Sequence, residues 1–253
     1  MSQGNGVVVV IPARFASTRF PGKPLHILAG KPLIQHVYER AKALEHQVDA
    51  IIVATDHEGI KTTCNSFGAT VCMTANTHET GSDRLAEVAT HYDWSDQTIV
   101  VNLQGDEPLT PLVNLEQLIA NMQRYQEVAI ATLATPVQSL EEFNNPNCVK
   151  VVRDNTGKAL YFSRAPIPHQ RDGMTTPLHE YALRHIGMYA YRVGFLKAYP
   201  HLRPAALESL EKLEQLRALA NGFSIHVDIA HENPGRGVDT PADAIHLESL
   251  LNC

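Results

Sequence analysis

The chain has 253 residues, 44% hydrophobic and 19% charged, long enough to bury one sizeable α/β core and too apolar to stay disordered. No apolar run approaches the roughly 20 residues that cross a bilayer, and the opening MSQGNG lacks the basic and apolar segments of a secretory signal, so no membrane partner is expected. The formal net charge of -6 speaks against a broad basic surface for nucleic acid.

The charge is uneven. Residues 1–38 hold no acid but carry Arg14, Arg19, Lys23 and Lys31. A cationic segment on an anionic protein suits a small polyanion held at one place. Cys64, Cys72, Cys148 and Cys253 are scattered without metal-ligand spacing, which fits reduced thiols in a cytoplasm.

Residues 7–11 form a β-branched apolar run, short enough for a buried strand and followed by Pro12. A loop punctuated by glycine and proline leads to a helical pattern from Pro32, with Leu33, Ile34, Val37, Ala41 and Leu44 on its apolar face. A second buried strand is expected over residues 50–54, a helix over 58–67 stopped by Gly68, a short strand over 69–73 and a helix over 82–92. Residues 98–103 are a third strong strand, 112–125 a helix and 128–134 a further strand. This alternation predicts an α/β fold with a mostly parallel sheet flanked by helices.

The texture changes over residues 136–200. Two short strand patterns flank Asp154-Asn155-Thr156-Gly157, a hairpin signal, and residues 186–191 read as another strand. The stretch is expected to be a smaller mixed or antiparallel lobe inserted in a single domain spanning residues 1–253. Residues 207–220 read as one helix whose Leu207, Leu210, Leu213 and Leu216 face the core, with Glu208, Glu211 and Glu214 solvated. A strand over 224–229 and a helix after Asp239-Thr240-Pro241 complete the chain.

The segment IPARFASTRFPGKPL, residues 11–25, begins where the first strand ends, and open α/β sheets bind ligands at such ends. It holds three cations and no acid. Ala13, Ala16, Ser17 and Thr18 are small, leaving room for an anion, and Gly22 permits close backbone approach. An arginine fork and a lysine point charge suit a triphosphate, although a solvated loop would show the same composition. Dinucleotide and Walker A loops are absent: Gly4-Asn5-Gly6 precedes the strand, and Gly22-Lys23-Pro24 lacks the upstream glycine and the hydroxyl residue.

The segment closely resembles the N-terminal signature of the 3-deoxy-manno-octulosonate cytidylyltransferases, the CMP-Kdo synthetases. NLQGDEPL at 102–109, YFSRAPIP at 161–168, RHIGMYAYR at 184–192, LESLEKLEQLRAL at 207–219 and GVDTPADA at 237–244 resemble the same family in its order, so the resemblance covers essentially the whole chain. It implies a Rossmann-like nucleotidyltransferase fold and a cytoplasmic homodimer serving lipopolysaccharide synthesis. Its reaction would transfer CMP from CTP to the anomeric hydroxyl of the eight-carbon sugar acid Kdo, with Mg²⁺ as cofactor. The neighbouring possibilities are a cytidylyltransferase for a sialate-type acid and a catalytically silent nucleotide-binding module.

Site residues follow from the resemblance. Arg14, Arg19 and Lys23 would hold the triphosphate beside Ala13. Asp106 and Asp239 would jointly hold Mg²⁺, which needs few protein carboxylates because phosphates and water complete its octahedron. Taken alone, Asp106 is equally a turn residue and Asp239 a helix cap. Gln104, Arg164, His185, Tyr189, Glu214 and Gln215 would meet the sugar acid, Arg164 pairing with its carboxylate. His185 and Tyr189, four apart on a strand, share a face, whereas the adjacent Glu214 and Gln215 of a helix diverge by about 100°.

HETGSDR at 78–84 departs from the family pattern of Ser-Gly-Thr before an acid and Arg, since Thr80 and Ser82 have exchanged places. Both keep a hydroxyl, so Gly81, Ser82 and Arg84 are still expected against the base. Ser82 equally suits a helix N-cap with Asp83 in the first turn. His57 stands where the family often has a second Asp.

Overall fold

Five consecutive residues, Val7 to Ile11, are almost fully buried, because their strand has packed elements on both faces. In the computed structural model, which describes residues 6–16, 20–78, 80–173, 176–235 and 237–251, this strand is β1 (Val7–Ala13). Val8 and Val10 point into one apolar layer; Val7, Val9 and Ile11 point into the other. A small hairpin, β2 (Ile27–Leu28) and β3 (Lys31–Pro32), leads into α1 (Leu33–Lys42). Then follow β4 (Ala50–Thr55), α2 (Glu58–Ser66), β5 (Thr70–Met73), α3 (Gly81–His91), β6 (Ile99–Asn102), α4 (Leu112–Arg124) and β7 (Ile130–Pro136).

The remaining elements are α5 (Leu140–Asn144), β8 (Lys150–Arg153), β9 (Ala159–Ser163), α6 (Leu178–Tyr181), β10 (Leu183–Arg192), α7 (Val193–Ala198), α8 (Ala206–Glu211), α9 (Gln215–Ala220), β11 (Ile225–Ile229) and α10 (Pro241–Leu251). The main sheet runs β11-β7-β10-β6-β1-β4-β5. Every neighbouring pair is parallel except those made by β10, which is antiparallel to both β6 and β7. The expected mostly parallel α/β sheet flanked by helices is thus observed, with the hairpin β8–β9 as its antiparallel branch.

Two expectations change. Within residues 136–200, the β8–β9 hairpin branches off β10, and β10 itself runs through the middle of the main sheet instead of forming a separate lobe. Apolar alternation tells which face a strand buries but not which strands it pairs with.

The single helix expected over 207–220 is also two helices. Lys212 adopts φ 53°, ψ 49° and ends α8, and α9 begins at Gln215. The leucine stripe divides accordingly: Leu213 and Leu216 are buried at 7% and 1% exposure, whereas Leu207 and Leu210 stand out at 45% and 79%. A continuous helix would step these leucines round by about 60° each and spread them over half its circumference; the break at the left-handed Lys212 separates an exposed pair from a buried one.

Candidate active site

The C-terminal ends of β1 and β6 open onto a cleft of about 480 Å³, within the ~300–1,000 Å³ of small-molecule sites. Ala13, Arg14, Lys23, Gly81, Arg84, Gln104, Asp106, Glu214 and Asp239 line it together with Pro12, Ala16, Pro24 and Gly105. Gly105 sets the close approach at its floor. A Cβ there would lie 2.7 Å from the Pro12 carbonyl oxygen, so the loop after β6 fits against the end of β1 only without a side chain. Gln104 and Asp106 flank that contact and thereby reach the cleft.

Lys23 ties the charged groups together. Its Nζ donates to Asp106 Oδ2 at 2.5 Å and to the Val238 carbonyl at 2.8 Å, and lies 3.6 Å from Asp239 Oδ1. The Val238 N–H donates to the Asp106 carbonyl at 2.8 Å, fastening the two carboxylate-bearing loops to each other. Asp239 does not supply the cap of α10. The N–H groups of Asp239 and Thr240 both donate to Asp243 Oδ2, and Asp243 N–H returns a bond to Thr240 Oγ1. Thr240 and Asp243 cap the helix, and the Asp239 carboxylate faces Lys23 instead.

Two carboxylates converging on one ammonium are hard oxygen donors of the type and number that Mg²⁺ takes when phosphates and water fill its other positions. The donor set therefore fits that ion.

Arg84 is fully buried at 0% exposure, donating to Asp56 Oδ2 at 2.8 Å and to Thr74 Oγ1. Asp56 and Thr74 lie just beyond β4 and β5, so α3, β4 and β5 are joined at the cleft wall. Asp56, which directly follows β4, is not among the residues singled out from the sequence.

The N-cap of α3 is Thr80, not Ser82. Thr80 and Asp83 form a reciprocal capping box, and Ser82 is buried inside the first turn with its Oγ 3.5 Å from the Tyr191 hydroxyl. His57 caps α2 by accepting the Gly59 N–H and stacks on Phe15 at 3.9 Å. Arg19 lies outside the described residues.

Glu214 marks the other end of the cleft. It also lines a small recess behind the wall with Ser82, Tyr189, Tyr191, Tyr199 and Gln215. Burial pushes its carboxyl up, eased by the hydroxyls of Ser82 and Thr80. Gln215 is buried in that recess, and of the two adjacent residues only Glu214 also lines the cleft. Tyr189 and His185 remain ring neighbours at 5.4 Å despite a bulge between Ile186 and Tyr189. The His185 ring bonds Thr132 Oγ1 at 2.9 Å, and burial pushes its pKa down to about 3.

Arg164 is not among the residues lining the cleft: its guanidinium meets the carbonyls of Pro146, Glu211 and Lys212. Glu107 was not anticipated either. Burial, reinforced by the neighbouring Asp106 charge, pushes its carboxyl up to about 7.

A cytidylyltransferase family model matches residues 8–229. The chain belongs to the cytidylyltransferase family. A 3-deoxy-manno-octulosonate cytidylyltransferase of Thioalkalivibrio sulfidiphilus is 53% identical over 246 residues, covering 96% of this chain and 98% of the relative. One from Pasteurella multocida is 49% identical, covering 96% and 97%.

Among solved structures, a CMP:2-keto-3-deoxy-manno-octonic acid synthetase complexed with CTP superposes with a TM-score of 0.90 at 41% identity, covering 98% of both chains. A 4-diphosphocytidyl-2C-methyl-D-erythritol synthase, 16% identical with a TM-score of 0.64, shares the cytidylyltransferase fold. It covers 99% of this chain and 100% of its own.

Proposed function

We propose that this protein transfers CMP from CTP to the anomeric hydroxyl of 3-deoxy-D-manno-octulosonate, releasing pyrophosphate and supplying CMP-Kdo for lipopolysaccharide synthesis. The observation that carries the reading is the Asp106–Lys23–Asp239 node beside Arg14 at the ends of β1 and β6. Relatives at 53% and 49% identity over nearly the whole chain bear the corresponding name.

In the reaction the anomeric oxygen forms a bond to the α-phosphorus, the α–β phosphoanhydride bond breaks, and the hydroxyl proton leaves to solvent. Arg14, Arg19 and Lys23 bind the triphosphate and balance the charge that grows on departing pyrophosphate. Gly81 and Arg84, on the cleft wall, bear on the base, with Arg84 held rigid by Asp56 and Ser82 packed in the turn behind them.

Gln104 and Glu214, on the cleft wall, orient the sugar acid, with Tyr189, His185 and Gln215 supporting from the sheet face behind. Because the two substrates are held side by side, positioning and electrostatics supply most of the acceleration and no covalent nucleophile is needed. Asp106 and Asp239 would hold Mg²⁺, whose bound charge offsets that of the α-phosphate and acidifies the attacking hydroxyl.

The enzyme is proposed to act in the cytoplasm as a homodimer. Exposed Leu160 and Leu210, at 61% and 79%, supply apolar surface for a subunit contact, and Cys64, Cys72 and Cys148 are free thiols.

Pyrophosphate release from CTP and Mg²⁺ with a panel of sugar acids tests the reading. Release with Kdo and little with sialic acids is expected. Release with sialic acid alone would reassign the substrate, and none with any acid would leave a silent nucleotide-binding module.

A further inference from the structure

Glu214 reaches the cleft because the chain breaks its helix two residues earlier, at a lysine in the left-handed region. Glycine is the usual occupant of such a position; Lys212 is not self-sufficient there. The conformation is held from 47 residues upstream. Arg164 Nε donates to the Glu211 carbonyl at 2.6 Å, Nη2 to the Lys212 carbonyl at 3.5 Å and Nη1 to the Pro146 carbonyl at 2.9 Å.

Glu211 answers in the other direction. Its carboxylate accepts the Ser163 hydroxyl at 2.6 Å and the Arg164 N–H at 2.9 Å. The buried Lys150 fixes the arginine's own backbone, its Nζ donating to the Arg164 carbonyl at 2.7 Å and to those of Asn145 and Cys148. The end of β9 and the end of α8 therefore hold each other by side-chain-to-backbone bonds given both ways. Cations suit a helix C-terminus because the last carbonyls lack partners within the helix.

We propose that Arg164 is a positioning residue: by clasping the carbonyls at the α8–α9 break, it sets the direction in which Glu214 enters the sugar-acid end of the cleft. This rests on the proposed reading that Glu214 faces the sugar acid. It differs from direct pairing of Arg164 with the sugar carboxylate, and the two roles make opposite predictions about suppression and additivity.

The experiment is steady-state kinetics on the full-length enzyme with CTP, Mg²⁺ and Kdo, using Arg164→Gln, Glu214→Gln, Lys212→Gly and the combinations of Arg164→Gln with each of the other two. Arg164→Gln should raise the KM for Kdo roughly tenfold and leave the KM for CTP within about twofold. Glycine adopts the left-handed conformation without help, so Lys212→Gly should restore most of the Kdo KM lost in Arg164→Gln. The pair Arg164→Gln, Glu214→Gln should be little worse than the more severe single change, as for residues acting as one unit.

No restoration by Lys212→Gly, together with multiplying losses in the Glu214 pair, would overturn the clasp in favour of direct contact. Wild-type Kdo kinetics in Glu214→Gln would instead overturn the placement of the sugar acid, while the Lys212→Gly result would still decide the clasp. Should Arg164→Gln melt below the assay temperature, Lys212→Val strains the same break with Arg164 intact. It must then raise the KM for Kdo, and an unchanged value would overturn the proposal.

Discussion

The two ends of the cleft are built differently. At the proposed nucleotide end, Ala13 closes β1, while Arg14, Lys23 and Asp106 lie on the segments leaving β1 and β6, two adjacent parallel strands that open onto the same edge. Parallel pairing alone delivers those loops to one edge, so short contiguous motifs suffice. At the proposed sugar-acid end, Glu214 follows a broken helix, beside which Arg164 and Glu211 reach across to each other, and β10 threads antiparallel between β6 and β7. One end is set by strand topology; the other rests on long-range side-chain-to-backbone bonds.

The largest expected effect is at the nucleotide end. Asp106→Asn removes a charge from the node that gathers Lys23 and Asp239, and kcat should fall by roughly a thousandfold, about 4 kcal/mol of transition-state stabilisation. The melting temperature should barely change. Equal losses of activity and stability would make Asp106 structural and erase the contrast between the two ends.

Asp56→Ala should cost about 3–5 kcal/mol of folding stability in urea titration, because it leaves the buried Arg84 guanidinium without its carboxylate. A loss below 1 kcal/mol would mean that the wall joining α3, β4 and β5 does not depend on this pair. Gly105→Ala should cost about 1–3 kcal/mol, since the Pro12 carbonyl cannot yield without moving β1. A melting temperature equal to wild type would show that the two strand ends are less tightly fitted than the 2.7 Å approach implies.

The smallest effect belongs to the sheet face of the sugar end. Burial holds the His185 pKa at about 3, below its ordinary 6.5, so between those values the unfolded chain binds a proton that the folded one refuses. Stability is therefore lost as pH falls from about 6.5, by at most about 1.4 kcal/mol per pH unit from this group. Urea midpoints at pH 7, 6 and 5 should fall less steeply in His185→Gln. An identical slope would mean that the ring is open to solvent.

What was legible in the sequence follows the same divide. The buried strands are local signals and stand where expected, and Arg14, Lys23 and Asp106, each from a short contiguous motif, line one cleft. The left-handed Lys212 carries no glycine or proline to announce it, and a leucine every third residue concealed it; the clasp that holds it is tertiary. Asp239 looks like a helix cap in the sequence because Thr-Pro follows it, whereas the cap bonds are made by Thr240 and Asp243. Pairing of β10 with β6 and β7 was equally invisible, because alternation encodes the face of a strand and not its neighbours.

The central claim is that Asp106 and Asp239 form a divalent-cation site completed by the nucleotide. It is tested most directly by a crystal structure with Mn²⁺ and a non-hydrolysable CTP analogue, with anomalous scattering recorded at the manganese edge. One strong peak beside the Asp106 and Asp239 carboxylates is expected, with Lys23 turned onto the phosphates. A peak bound away from both carboxylates, or Lys23 still bridging Asp106 and Asp239 beneath a bound nucleotide, would contradict it.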